Sequence, residues 1–158
     1  MWKVKRSKIH GTGIFATREI EENTKIIQYI GEKILKSEGD KRSEKRLNKY
    51  LHSQKDGSVY IFELNRKYDI DGSPKYNKAR YINHSCNPNC EVVGKGLKLW
   101  IESLKDIKKG EELSYDYGFS FDQDFKDYPC RCNSKNCCGY IVKQASRWRV
   151  KKSLRLSK

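Results

Sequence analysis

Cysteine is missing from the first 85 residues; all six lie at positions 86, 90, 130, 132, 137 and 138. No apolar run approaches the roughly 20 residues that a membrane-spanning helix requires. The opening segment, Met1-Trp2-Lys3-Val4-Lys5-Arg6, is basic but has no apolar stretch behind it, so it does not read as a signal peptide. These absences predict a soluble, non-exported protein without a membrane partner. An intracellular setting disfavours a disulfide framework, which needs an oxidising compartment, and makes metal binding the better use of close-set cysteines. Acidic charge is also short. The 20 Asp and Glu face 34 Lys and Arg, a formal +14. Such a balance suits anionic partners, or substrates that themselves bind nucleic acid, and equally suits a lysine-rich proteome.

What is present fits one domain. The 158 residues allow one modest core, and 36% hydrophobic against 34% charged residues predicts a compact core under a charged surface. Ile14-Phe15-Ala16 follows a glycine pair, and Thr24 to Ile30 is rich in β-branched residues, so both read as strands. From about Lys33 to Ser53 the chain is charged, with sparse apolar residues at Leu47, Tyr50 and Leu51 that predict a short helix with a narrow buried stripe. Strands are predicted again at Val59–Leu64 and Tyr68–Ile70, bounded by Asp56-Gly57 and Asp71-Gly72. Val92-Val93 and Leu97–Ile101 flank Gly94-Lys95-Gly96 as a hairpin would. Many short strands and little helix predict a mainly β fold. From Lys143 onward there are seven basic side chains and no acidic one, which reads either as an ordered basic flap or as a loose tail.

Four constellations could carry chemistry. Cys130, Cys132 and Cys137 form C-x-C-x4-C, three soft ligands in one loop. A closed structural zinc site needs a fourth, for which Cys86, Cys90 and Cys138 are the candidates; adjacency to Cys137 counts against Cys138. The alternative is ordinary buried thiols. The run Ala79-Arg80-Tyr81-Ile82-Asn83-His84-Ser85-Cys86-Asn87-Pro88-Asn89-Cys90 is a turn-rich polar loop after a short apolar stretch, and its histidine alone would read as structural. In Gly110-Glu111-Glu112-Leu113-Ser114-Tyr115-Asp116-Tyr117 the two tyrosines at i and i+2 share one side of an extended strand, as half-buried aromatics also would. His10-Gly11-Thr12-Gly13 lets backbone approach a ligand, although a lone G-x-G is a weak signal.

In this order, with Tyr29-Ile30-Gly31-Glu32 between the first and second, these runs resemble a SET domain followed by a post-SET zinc segment, over about Lys8 to Ile141. The resemblance implies a fold of several small sheets around a pseudoknot, with short helices, and Asn83 and His84 beside Tyr117. It divides the chain into a SET domain at 1–120 with a short variable insert at 33–53, a post-SET zinc segment at 121–142 and a basic tail or flap at 143–158. It implies a protein lysine methyltransferase that uses S-adenosylmethionine, releases S-adenosylhomocysteine and carries one structural zinc on Cys86, Cys130, Cys132 and Cys137, leaving Cys90 and Cys138 as free thiols. Thr12, Gly13, Tyr29, Asn83 and His84 would then touch the cofactor. Tyr117 would be the catalytic tyrosine and Tyr60 a channel residue. Tyr115 stands where the family carries phenylalanine or tyrosine, and its hydroxyl predicts mainly monomethylation.

The chemistry asks for such residues. Methyl transfer from a sulfonium to an amine is an in-line displacement, so the protein must position the amine and leave it neutral. A desolvated aromatic channel lowers the amine pKa and attracts cationic character. Arg80 is expected to pair with a carboxylate, and Trp148 to cover the cofactor or pack on the surface. Expected substrates are basic proteins bearing a target lysine: a histone, a nucleoid protein or a ribosomal protein. An acidic groove at Glu63, Asp69, Asp122, Asp124 and Asp127 would attract them, and the tail adds weak contact with nucleic acid. The expected state is a monomer, in the cytoplasm of a prokaryote or otherwise the nucleus, a host nucleus included. The rival reading is a non-catalytic SET-fold module that binds chromatin, nucleic acid or a peptide.

Overall fold

The computed structural model describes residues 1–53 and 60–156. Its elements begin with β1 (Trp2–Arg6), β2 (Thr12–Ala16), β3 (Lys25–Tyr29), β4 (Glu32–Leu35) and helix α1 (Lys36–Ser53). Then come β5 (Ile61–Glu63), β6 (Tyr68–Asp71), β7 (Asn83–His84), β8 (Cys90–Lys95), β9 (Lys98–Ser103) and β10 (Ser114–Tyr115). Helix α2 (Arg147–Leu156) closes the chain, and single 3-10 turns lie at Lys78–Tyr81, Phe125–Asp127 and Gln144–Ser146. The strands form four small sheets, ordered β1-β2, β10-β7, β3-β9-β8 and β4-β6-β5. The mainly β reading holds. No helix among the described residues is long and apolar enough to cross a membrane.

By contact the residues form two compact units: Met1–Ile26 with Tyr81–Glu91 and Glu102–Lys158, and Ile27–Arg80 with Val92–Ile101. In the first, β1 and β2 pair antiparallel from Trp2 opposite Ala16 to Arg6 opposite Thr12. β7 pairs parallel with β10, Asn83 opposite Ser114 and His84 opposite Tyr115. Ile14, Ile20, Ile82, Ile107 and Leu113 fill the core of this unit. A satellite core of Phe125, Val142 and Val150, with Phe121, Cys138 and Tyr140 against it, packs the C-terminal segment.

In the second unit β6 lies between β4 and β5, antiparallel to both. Residues 33–35, expected to begin a helix, are strand, because Ile34 is buried and the segment pairs with β6. α1 is an 18-residue helix, longer than expected. Its inward stripe is charged as well as apolar: Lys36, Arg42 and Arg46 are half-buried beside Gly39 and Leu47. Arg42 and Arg46 both bond Asp71, at 3.0 and 2.9 Å, and Arg42 also holds Glu32 and Glu38. The packing surface of this helix is therefore an ion-pair network. Asp71 combines the turn role expected of it, accepting the Ser73 N–H at 3.0 Å, with this anchoring. β8 and β9 are joined by a tight turn in which Gly96 adopts φ +63°, a conformation that favours glycine. The predicted turn at Asp56-Gly57 and the start of a strand at Val59 lie outside the described residues, as do the side chains of Tyr50 and Leu51.

Candidate functional site

The short parallel pairing of β7 with β10 joins two sequence motifs of the first unit. It brings the Tyr117 N–H to His84 Nδ1 at 3.2 Å, and the Tyr117 hydroxyl donates to the Ile82 carbonyl at 3.0 Å. The Tyr117 ring lies 5.3 Å from that of His84, edge to face, and 4.9 Å from that of Tyr115. Asn83, His84 and Tyr117 are therefore neighbours, as expected, and Tyr115 is buried beside them. Burial lowers the His84 pKa to about 4, with Asp116 opposing and Arg147 adding to the shift, so the imidazole is neutral near pH 7.

The glycine turn is bolted to the same place. The Asn83 side-chain amide donates to the carbonyls of His10 (3.2 Å) and Thr12 (3.1 Å) and to the Glu112 carboxylate (2.8 Å). Glu112 accepts the Ser7 hydroxyl as well, at 2.7 Å. A Cβ on Gly13 would overlap that carboxylate and force it to move, at the expense of its bonds to Ser7 and Asn83. Gly11 holds φ +47° and is exposed, with nothing near its Cβ direction. The result is an open backbone turn backed by a half-buried polar network, which fits a polar ligand such as S-adenosylmethionine.

Cys86, Cys130, Cys132 and Cys137 bring their four sulfurs within 4.8 Å of one another. Tetrahedral zinc with Zn–S bonds of about 2.3 Å spaces its sulfurs about 3.8 Å apart, and Cys86 and Cys130 already stand at 3.9 Å. The donor set, its number and its spacing fit one structural zinc. Burial raises the Cys86 thiol to about 12 and raises Cys130 further. Burial also raises Cys132, but the Ser134 hydroxyl and the N–H groups of Cys86 and Ser134 outweigh it and bring the thiol down to about 6. A bound cation would favour the thiolate at all four. Cys90 is fully buried, and its thiol is pushed up to about 12 by burial. Cys138 packs in the satellite core. Neither belongs to the four-sulfur group.

In the second unit, the Tyr29 hydroxyl donates to the Tyr60 carbonyl at 2.9 Å, and the Tyr29 ring is buried over Gly72. The Arg80 guanidinium lies 4.3 Å from the Tyr60 ring centre and donates to the Ser73 carbonyl. Glu63 and Asp69, expected in an acidic groove, share the Lys36 ammonium at 2.7 and 3.3 Å, so much of their charge is already matched. Trp148 is exposed.

Three residues escaped the sequence reading. Glu112 lay inside a quoted motif but had no role assigned. Asp116 lies 3.8 Å from His84 Nδ1 and pairs with Arg147 at 2.6 Å. Arg147, buried, also donates to the carbonyls of Cys86 at 2.6 Å and Val142 at 3.0 Å. It thus ties helix α2 to both the cysteine cluster and the tyrosine strand.

Comparison with known proteins agrees with this arrangement. Residues 11–118 match the family described as the SET domain. The human histone-lysine N-methyltransferase 2D is 42% identical over 136 residues, 84% of this chain but 2% of that protein. The Drosophila melanogaster histone-lysine N-methyltransferase trr is 40% identical over 84% of the chain and 5% of its own length. A Schizosaccharomyces pombe histone-lysine N-methyltransferase, H3 lysine-4 specific, is 39% identical over 85% of the chain and 14% of its length. The chain thus spans a small part of each of these relatives.

Proposed function

Because the chain belongs to the SET-domain family, we propose that it is a histone-lysine N-methyltransferase acting on histone H3 at lysine 4, in the nucleus where that substrate resides. The observation that carries the proposal is the β7–β10 pairing, which sets Asn83 and His84 against Tyr117 and the glycine turn. The name of the fission-yeast relative supports the choice of lysine. On this reading residues 1–120 are the SET domain, 121–142 the zinc-bearing segment and 143–158 a basic flap.

Bound S-adenosylmethionine would supply an electrophilic methyl group to the incoming amine. Thr12, Gly13, Asn83 and His84 would form its polar bed, the network behind Asn83 keeping the turn in shape before ligand arrives. The Tyr117 hydroxyl donates its proton to the Ile82 carbonyl, so toward an amine N–H its oxygen would act as the acceptor that orients it. The Tyr115 and Tyr117 rings exclude water and favour the neutral amine by desolvation. The hydroxyl of Tyr115 would hold a water beside the amine and favour monomethylation, with dimethylation slower. Tyr60 as a channel residue and Tyr29 as a cofactor contact rest on the resemblance alone.

The test is transfer of labelled methyl from S-adenosylmethionine to recombinant histone H3, beside H3 in which lysine 4 is replaced by alanine, and beside the Tyr117→Phe protein. Label on H3 that disappears in both controls supports the proposal. Label that persists on the substituted H3 rejects the site. Absence of label despite cofactor binding by calorimetry on nucleosomes, H3 and whole lysate favours the non-catalytic module.

A further inference from the structure

After Asp127 the sequence contains nine Lys and Arg and no Asp or Glu, so most of the +14 excess sits in the last fifth of the chain. Such a stretch is usually a solvated tail. Here its described residues, through Leu156, are folded. Val142 and Val150 are fully buried with Phe125, and Arg147 anchors the first turn of α2 through its bonds to Asp116, Cys86 and Val142. With one face fixed to the body, the other face is held toward solvent.

That outer face has a definite chemistry. Trp148, Arg149, Lys151, Lys152 and Leu154 are exposed, Trp148 at 62%. Positions 148, 149, 151 and 152 are related by three and four residues, so they form a strip along the helix with neighbours about 5–6 Å apart. The Arg149 guanidinium lies 5.1 Å from the Phe121 ring centre and 6.0 Å from that of Trp148, and cation–π attraction holds it in place. Pre-ordered cations lose less freedom on binding than those of a loose tail.

We propose that the outer face of α2 docks on the phosphate backbone of duplex DNA, with Arg149, Lys151 and Lys152 against phosphates and Trp148 packed on the sugar edge. Charge complementarity selects this occupant: a strip of cations without an acidic neighbour in its own segment matches a polyanion. A lipid surface would instead need a continuous apolar face to insert; here Val150 is buried in the protein, and the exposed Trp148 and Leu154 stand among three cations. The proposal goes beyond the methyltransferase reading and does not depend on it.

The experiment measures binding of the zinc-loaded chain to a 20-base-pair duplex by fluorescence anisotropy across a salt series, for the parent, Lys151→Glu/Lys152→Glu and Lys151→Gln/Lys152→Gln. Each phosphate contact contributes about 0.9 to the slope of log affinity against log salt. Losing two should flatten the slope by about 2 and weaken binding roughly 50-fold at 0.1 M salt in the Gln protein, and more in the Glu protein. Thermal melting of each variant checks that the fold is kept. An unchanged affinity and slope in folded variants overturns the proposal, as does tighter binding of the parent to polyglutamate than to DNA, which would mark an acidic protein as the partner. A free H3 peptide should be methylated equally by parent and variants, so loss of activity on that peptide bears on the enzyme reading and not on this surface.

Discussion

Replacing Arg147 by alanine should be among the most damaging single changes to this molecule. The side chain is 7% exposed and makes three bonds, to the Asp116 carboxylate, the Cys86 carbonyl and the Val142 carbonyl. Charged hydrogen bonds contribute about 1.5–3 kcal/mol each, but the three losses are not equal. The Cys86 carbonyl keeps the Asn136 amide at 2.9 Å, and the Asp116 side chain, 23% exposed, regains some water. A net cost of about 3–4 kcal/mol follows, within the range for breaking a buried ion pair from one side. For a chain of this size, that lowers the melting midpoint by about 10 °C. Arg147→Lys restores the charge but not the fork, and should recover about half. Thermal unfolding followed by circular dichroism, with zinc present, measures all of these. A double-mutant cycle with Asp116→Asn isolates the ion pair, expected to couple by about 1.5–2 kcal/mol. A change under about 1 kcal/mol for Arg147→Ala, or additivity in the cycle, would refute the reasoning.

Acid should attack the second unit through Asp71. Burial raises its pKa, but bonds from Arg46, Arg42 and Ser73 outweigh that and hold it at about 2 against an ordinary 3.8. A depressed carboxylate contributes stability that is complete above about pH 5 and is lost as pH falls from about 4 to about 2, here roughly 2 kcal/mol. Urea titrations of the parent and Asp71→Asn across that window should converge; parallel curves would contradict the assignment. Cys132→Ser should reduce bound zinc, measured by elemental analysis, from about one per chain to near none, and lower the melting midpoint. Retention of a full equivalent would remove Cys132 from the ligand set. Tyr115→Phe, by releasing one ordered water, should raise the share of di- and trimethyl product on H3 by up to about tenfold in mass spectra. An unchanged product distribution counts against the water.

The parts of this fold legible in the sequence were those with local causes. The glycine turn before β2, the β-branched run of β3 and the β8–β9 turn each carry their instruction within a few residues. The β4 segment does not, since Lys33–Leu35 becomes strand only by pairing with β6, more than thirty residues away. The apolar pattern suggested a narrow greasy stripe for α1, whereas Arg42 and Arg46 reach Asp71 at separations of 29 and 25 residues. The cysteine spacing gave three ligands by itself; Cys86 came from the resemblance, and the sulfur distances agree. The resemblance makes Asn83 and His84 ligand contacts, and the Asn83 amide is also a clamp on the glycine turn. Arg147 carries no local signal, because only its Val142 partner is near in sequence and the other two lie 31 and 61 residues upstream.

The first unit is drawn from three separate stretches of chain. A ribosome that has just passed Tyr117 has already made the Asn83-His84 run and both tyrosines. Yet Cys86 has none of its three companion sulfurs, and its carbonyl has neither Asn136 nor Arg147 to bond. The nascent protein must hold this loop unfinished until Cys130, Cys132 and Cys137 emerge. Zinc capture can happen only in chains translated through that loop, which makes the metal a marker of complete synthesis of the site.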